Sequence, residues 1–174
     1  SATTPQWQTI SMTVPSRLED HDPPSAPLTA GAIAFSPDFA QDNTIYLYSG
    51  YAGLFRSSDG GTTWQFASRG LPAPIPPTRA FHLEVVSANV VCVLLTTLSE
   101  EMEPSASLSP YDRQRLLYCT HDGGTSWHML QPPPEVGAVS AFAARRDSDG
   151  SVVLYLGSAR GGVFEYPIEA LQWQ

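Results

Sequence analysis

The 174-residue chain carries seventeen acidic and nine basic residues, and all nine basic ones are arginine, for a formal net charge of −8 at pH 7. So few cations cannot neutralise many phosphates, which argues against nucleic-acid binding and equally against docking on an anionic membrane surface. No apolar run approaches the roughly 18 residues of a spanning helix, so the chain is read as not membrane-spanning.

The chain opens at SATTPQW. A small-residue start with a Thr/Pro stretch suits the mature form of an exported protein, although a trimmed start reads the same way. QWQTISM (6–12) reads as a lone strand, and 15–30 as a loop that includes His21. Strand-like runs follow: GAIAF (31–35), TIYLYSG (44–50), GLFRS (53–57), TWQFAS (63–68), HLEVVS (82–87) and NVVCVLLTT (89–97). After an acidic loop at 98–112 come RLLYCT (115–120), SWHML (126–130), AVSAFAA (138–144), SVVLYLGS (151–158) and GGVFEY (161–166). Val, Ile, Tyr, Phe and Trp dominate these runs, with turn residues between them, so the chain is all-β.

Two stretches nearly repeat: RSSDGGTTW (56–64) and CTHDGGTSW (119–127), with Asp122 lying 63 positions after Asp59. Laying Asp59 on Asp122 also brings Leu54 onto Leu117, Phe55 onto Tyr118 and Trp64 onto Trp127. Laying 45–55 on 154–164 matches Tyr46 with Tyr155, Leu47 with Leu156 and Phe55 with Phe164. We therefore read one domain over 1–174 containing three units, at about 31–70, 80–131 and 138–174, with an orphan strand at 6–14. The insertion at 98–112 lengthens the middle unit, and the third ends in EYPIEALQW without the Asp turn. Four antiparallel strands per unit, at a period of roughly 50 residues, are the pattern of β-propeller blades, here about three. A two-layer sandwich competes. It predicts cleaner in–out alternation than VVCVLL and SVVLYL show, and it does not account for the repeats.

Ser57-x-Asp59-x-Gly61-x-Thr63-Trp64 and Thr120-x-Asp122-x-Gly124-x-Ser126-Trp127 resemble the Asp-box, or BNR repeat: Ser/Thr-x-Asp-x-Gly-x-Thr/Ser-aromatic. That motif is found in sialidases, sortilin-type receptors, xyloglucanases and photosystem assembly propellers. The run FSPDFAQDNTIYLYSGYAGLFRSSDGGTTW also resembles uncharacterised bacterial propellers of this type. The resemblance implies that each turn joins the third and fourth strands of a blade, away from the substrate-binding face. The residues have local tasks too. An Asp carboxylate accepts from backbone N–H groups just ahead of it, the glycine pair supplies positive φ, and the Trp offers apolar surface to bury. Both aspartates are thus expected to be structural, not catalytic.

If the turn between the second and third strands is equivalent in each unit, Cys92 aligns with Tyr46 and Cys119 with Arg56. The two cysteines then become cross-strand neighbours within reach of a disulfide, which implies an oxidising compartment. Two reduced, core-facing thiols are the alternative.

A sialidase-like site would need three arginines on a carboxylate, a Tyr–Glu pair and an acidic donor. Only Arg145 and Arg146 are adjacent, and no Asp-Arg-Ile-Pro-like stretch precedes the first turn. A xyloglucanase-like site needs two carboxylates across a cleft. Asp38, Asp42, Glu84, Asp147 and Asp149 are the candidates, although SPDFAQDN and RRDSDGS read as ordinary turns. His121 and His128 flank a turn without a third ligand type, His21 sits in a solvated loop, and His82 reads as partly buried at a strand start. No phosphate loop or nucleophile elbow appears. We accordingly assign no catalytic residue, metal or cofactor.

Three units do not close a ring of the usual size and would leave apolar faces at both ends. A longer chain, a second copy or a different chain could complete it. The expected function is a non-catalytic scaffold or binding module, exported or surface-associated, that binds protein or glycan and assembles with itself or a larger complex. Its loops at 15–30 and 98–112, and exposed aromatics such as Tyr51 and Tyr111, are candidates for recognition, with mobile spacers as the plainer reading. A fragment of a carbohydrate-active hydrolase is the alternative function.

Overall fold

A computed structural model describes residues 30–49, 52–72, 79–98 and 113–168. The orphan strand at 6–14, the loop at 15–29, the insertion at 99–112, His21, Tyr51, Tyr111 and the segment 169–174 lie outside these described residues.

Eleven strands are arranged as three antiparallel sheets of four, four and three strands. The first sheet contains β1 (Ala30–Phe35), β2 (Ile45–Ser49), β3 (Gly53–Ser57) and β4 (Gln65–Phe66) in that spatial order. The second contains β5 (Arg79–Val85), β6 (Val91–Leu98), β7 (Arg113–Thr120) and β8 (His128–Leu130). The third contains β9 (Val139–Arg146), β10 (Val152–Ser158) and β11 (Val163–Pro167), again each beside the next. Each sheet is a meander of consecutive strands, and short turns set the register of the hairpins other than β6–β7, which the insertion joins.

Within the described residues, every run read as a strand carries one. TWQFAS shrinks to the two residues of β4 because Thr63 and Trp64 are drawn into the preceding turn. The segment SPDFAQDN, expected as a plain turn, holds a one-turn helix, α1 (Phe39–Asp42). Asn43 closes it in the left-handed region (φ 50°), with its N–H donating to the Phe39 carbonyl. Four residues are too few to display a helical stripe in sequence. The third sheet shows three strands among the described residues, matching the three strand runs and missing Asp turn of the third unit, and the described strands form no closed ring.

The sheets pack in chain order, first on second and second on third. Tyr46, Tyr48 and Leu54 of the first sheet meet Leu83, Val85, Val91, Val93 and Leu95 of the second. On the other side of the second sheet, Cys92, Leu94, Leu117 and Cys119 meet Phe142, Val152, Leu154 and Leu156 of the third. Strand β6 therefore buries both faces: Val91, Val93 and Leu95 point one way, and Cys92 and Leu94 the other, all at most 1% exposed. This double burial explains the unbroken apolar run, which an in–out strand would not need. Each such Leu stabilises the fold by about 1.5–3 kcal/mol relative to exposure. A separate cluster of Ile45, Leu47, Ala52, Phe55 and Trp64 lies on the far face of the first sheet.

Candidate functional site

The two repeated turns form matching hydrogen-bond networks. In the first, the Asp59 carboxylate accepts from the Ser57 hydroxyl at 2.8 Å, the Thr63 N–H at 2.8 Å and the Thr63 hydroxyl at 2.6 Å. The Ser57 Oγ in turn accepts from the Gly61 N–H at 2.8 Å. In the second, Asp122 accepts from the Thr120 hydroxyl (2.7 Å), the Ser126 N–H (3.0 Å) and the Ser126 hydroxyl (2.6 Å), while the Gly124 N–H donates to Thr120 at 3.0 Å. Gly124 is required twice over. Its φ is 90°, and a Cβ there would stand 2.7 Å from the Ala67 Cβ of the first sheet's exit segment. Such an approach admits only glycine.

Charge-assisted donors of this kind stabilise the ionised carboxylate. The Thr63 and Ser57 donors hold the Asp59 carboxyl at about 2, below its ordinary 3.8. Partial burial pushes Asp122 up, but the donors from Ser126 and Thr120 more than reverse that and leave it well below the carboxylate range. In linkage terms, a depressed carboxylate contributes stability above its unfolded pKa and loses it as pH falls through its folded pKa. For Asp59 that window runs from 3.8 down to about 2. We expect Asp59→Asn to flatten the acid limb of a plot of denaturation midpoint against pH within this window. An unchanged acid limb would show that the carboxylate is not held as described.

The two tryptophans differ. Trp64 donates Nε1–H to the Gly61 carbonyl of its own turn at 3.0 Å, whereas Trp127 donates to the Ala67 carbonyl of the first sheet's exit segment at 2.7 Å. The second turn thus ties two sheets together. Each turn is also anchored within its own unit, by Gly60 N–H to the Asn43 carbonyl and Gly123 N–H to the Asn89 carbonyl.

The other candidate carboxylates are occupied at the surface. Asp42 accepts from the Ser36 hydroxyl (2.6 Å) and the Thr44 N–H (2.8 Å), and Asp149 accepts from the Ser151 N–H (2.9 Å). Asp147 pairs with Arg145 at 2.8 Å, and Asp38 with Arg146 at 3.4 Å, so the adjacent arginines are spent on separate partners. Glu84 faces His82 at 3.1 Å. His82 lies inside β5 and is exposed, not partly buried at a strand start, with its ring edge-on to Phe142 at 4.9 Å. The carboxyls of Asp42, Asp59, Asp122 and Asp149 all shift down, opposite to what a general acid requires. The rings of His121 and His128 stack at 6.1 Å, and among the described residues no three His, Cys, Asp or Glu side chains converge as metal ligands.

Cys92 and Cys119 are disulfide-bonded, directly opposite each other on β6 and β7 with Cα atoms 4.1 Å apart. A buried structural disulfide suits an oxidising, non-cytoplasmic compartment. No helix among the described residues is long and apolar enough to cross a membrane.

Two further features were not singled out in the sequence. A cavity of about 260 Å³ is lined by Pro133, Glu135, Val136, Leu156, Phe164, Glu165 and Tyr166. It is smaller than the pockets that enclose most small-molecule ligands. The outer face of the first sheet exposes Ile33, Phe35 and Phe66 by 56%, 53% and 50%. The alternation in GAIAF carried that signal, but nothing local says whether a neighbouring sheet covers it.

No protein-family model matches the chain, and a comparison with curated proteins finds no match.

Proposed function

We propose that this chain is a non-catalytic scaffold or binding module of the Asp-box propeller type, its three sheets serving as blades. It binds protein or glycan and assembles with itself or a larger complex, in an extracellular, cell-surface or periplasmic setting. The observation that carries this reading is the state of both turn aspartates: each carboxylate accepts hydrogen bonds from three donors of its own turn, so both act as hairpin clamps. Rigid hairpin clamps of this kind hold a frame, and recognition then falls to loops and uncovered faces. The disulfide supports the exported setting. A glycan array run beside an aryl-glycoside turnover assay tests the reading. Binding without turnover is expected; turnover abolished by substituting Asp38, Asp147 or Glu84 would demand the hydrolase alternative.

A further inference from the structure

We propose that the outer face of the first sheet is covered by the outer face of the third sheet of a second copy of this chain, so that two copies join head to tail through two equivalent contacts. The proposal rests on the scaffold reading above and names its partner.

The repeat supplies the comparison. In each sheet, one cross-strand row faces the preceding sheet: Leu83–Val93–Tyr118–Met129 in the second and Phe142–Leu156–Phe164 in the third. The corresponding row of the first sheet is Ile33–Leu47–Phe55–Phe66, where Leu47 and Phe55 match Leu156 and Phe164 in sequence. At the first-strand position the exposures part company. Leu83 is 7% and Phe142 6% exposed, but Ile33 is 56% exposed. One step along the strand, Val85 is 7% exposed and Phe35 is 53%. The first sheet thus presents the same apolar row as its neighbours: Leu47 and Phe55 at its centre are buried, whereas its Ile33, Phe35 and Phe66 edges are exposed, and among the described residues no preceding sheet covers them.

The opposite faces complete the pattern. Tyr46 and Cys92, which face the following sheet, are both fully buried. Their counterpart Tyr155 faces no following sheet among the described residues and is half-buried, with the Arg145 guanidinium 5.5 Å above its ring. Its cross-strand partners are Ala143 and the exposed Glu165, and one row on lie Ala141–Gly157–Val163, with Val163 72% exposed. Small side chains here leave room for bulky ones opposite. Each covered face within the chain meets the outward face of the preceding sheet, and among the described sheets only the third has an outward face left over. Joining it to the first sheet of a second copy continues the existing packing without a new kind of contact. Two copies supply six sheets, within the range of about 4–8 at which radially packed sheets close, and a head-to-tail contact that closes does not propagate into filaments.

Light scattering on the full chain in the tens-of-micromolar range should return twice the 18.8 kDa chain mass. Ile33→Lys and, on the other face, Val163→Glu should each weaken the dimer by about tenfold or more while keeping the far-ultraviolet spectrum and Tm of a folded chain. Mixing the two variants should restore a dimer, because one of its contacts is then unaltered and the other pairs Lys with Glu. A wild-type monomer, or a dimer indifferent to Val163→Glu, overturns the proposal. Either outcome leaves the binding reading standing, since glycan binding and turnover are measured separately.

Discussion

Replacing Trp127 by alanine is expected to cost about 3–5 kcal/mol of folding stability, more than the same change at Trp64, although both side chains are 5% exposed. Trp127 lies between two sheets, in the cluster formed by Tyr46, Tyr48 and Leu54 on one side and Val91, Val93 and Leu95 on the other. Its truncation opens a cavity that neither rigid sheet can collapse into. It also removes the donor to the buried Ala67 carbonyl, which adds about 1–3 kcal/mol if the carbonyl stays unsatisfied. Gly70 (φ 92°) runs close beside the Trp127 backbone, where an added Cβ would stand 3.1 Å from the Trp127 carbonyl oxygen. Trp64 bonds within its own turn and packs on the uncovered side of the first sheet, where neighbours can relax toward solvent. Urea denaturation followed by circular dichroism gives both values, and Trp127→Phe isolates the hydrogen bond. Equal losses at the two positions would falsify the inter-sheet role assigned to Trp127.

Removing the disulfide by Cys92→Ala with Cys119→Ala should cost a further large amount, about 3 kcal/mol. The bond closes a 27-residue separation, for which the chain-entropy account gives roughly 3–4 kcal/mol. That separation spans the insertion at 99–112, so the bond restricts the unfolded chain where β6 and β7 are least locally connected. Both residues are fully buried against the third sheet, and alanine keeps the site apolar at the expense of a small void. Reductant should lower the wild-type denaturation midpoint toward that of the double variant and leave the variant itself unmoved. A wild-type midpoint insensitive to complete reduction would remove the disulfide from any account of stability.

Local chemistry made much of this legible. Gly-Gly at 60–61 and 123–124 demands positive φ, and the aspartate two residues after Ser57 or Thr120 has donors within its own turn to accept. Those requirements are met inside nine residues, so the pattern of residue types is enough to read them. Helix α1 escaped because its four residues are stabilised by what surrounds them, the Ser36–Asp42–Thr44 bonds and the αL cap at Asn43, not by a periodic face. His82 is exposed where its sequence context predicts partial burial, for a related reason. Its position in a strand is local, but its exposure depends on how far the third sheet extends over the second.

The described strands and the two turn networks are readable from the residues alone, because each depends on residues close along the chain, and the cross-strand partner of Cys92 follows from laying the middle unit on the first. Which apolar rows are covered emerges only when the sheets pack. Leu83, Phe142 and Ile33 are interchangeable as sequence, each an apolar residue in the first strand of its unit. Burial is a property of the neighbour, and for Ile33 the described chain provides none.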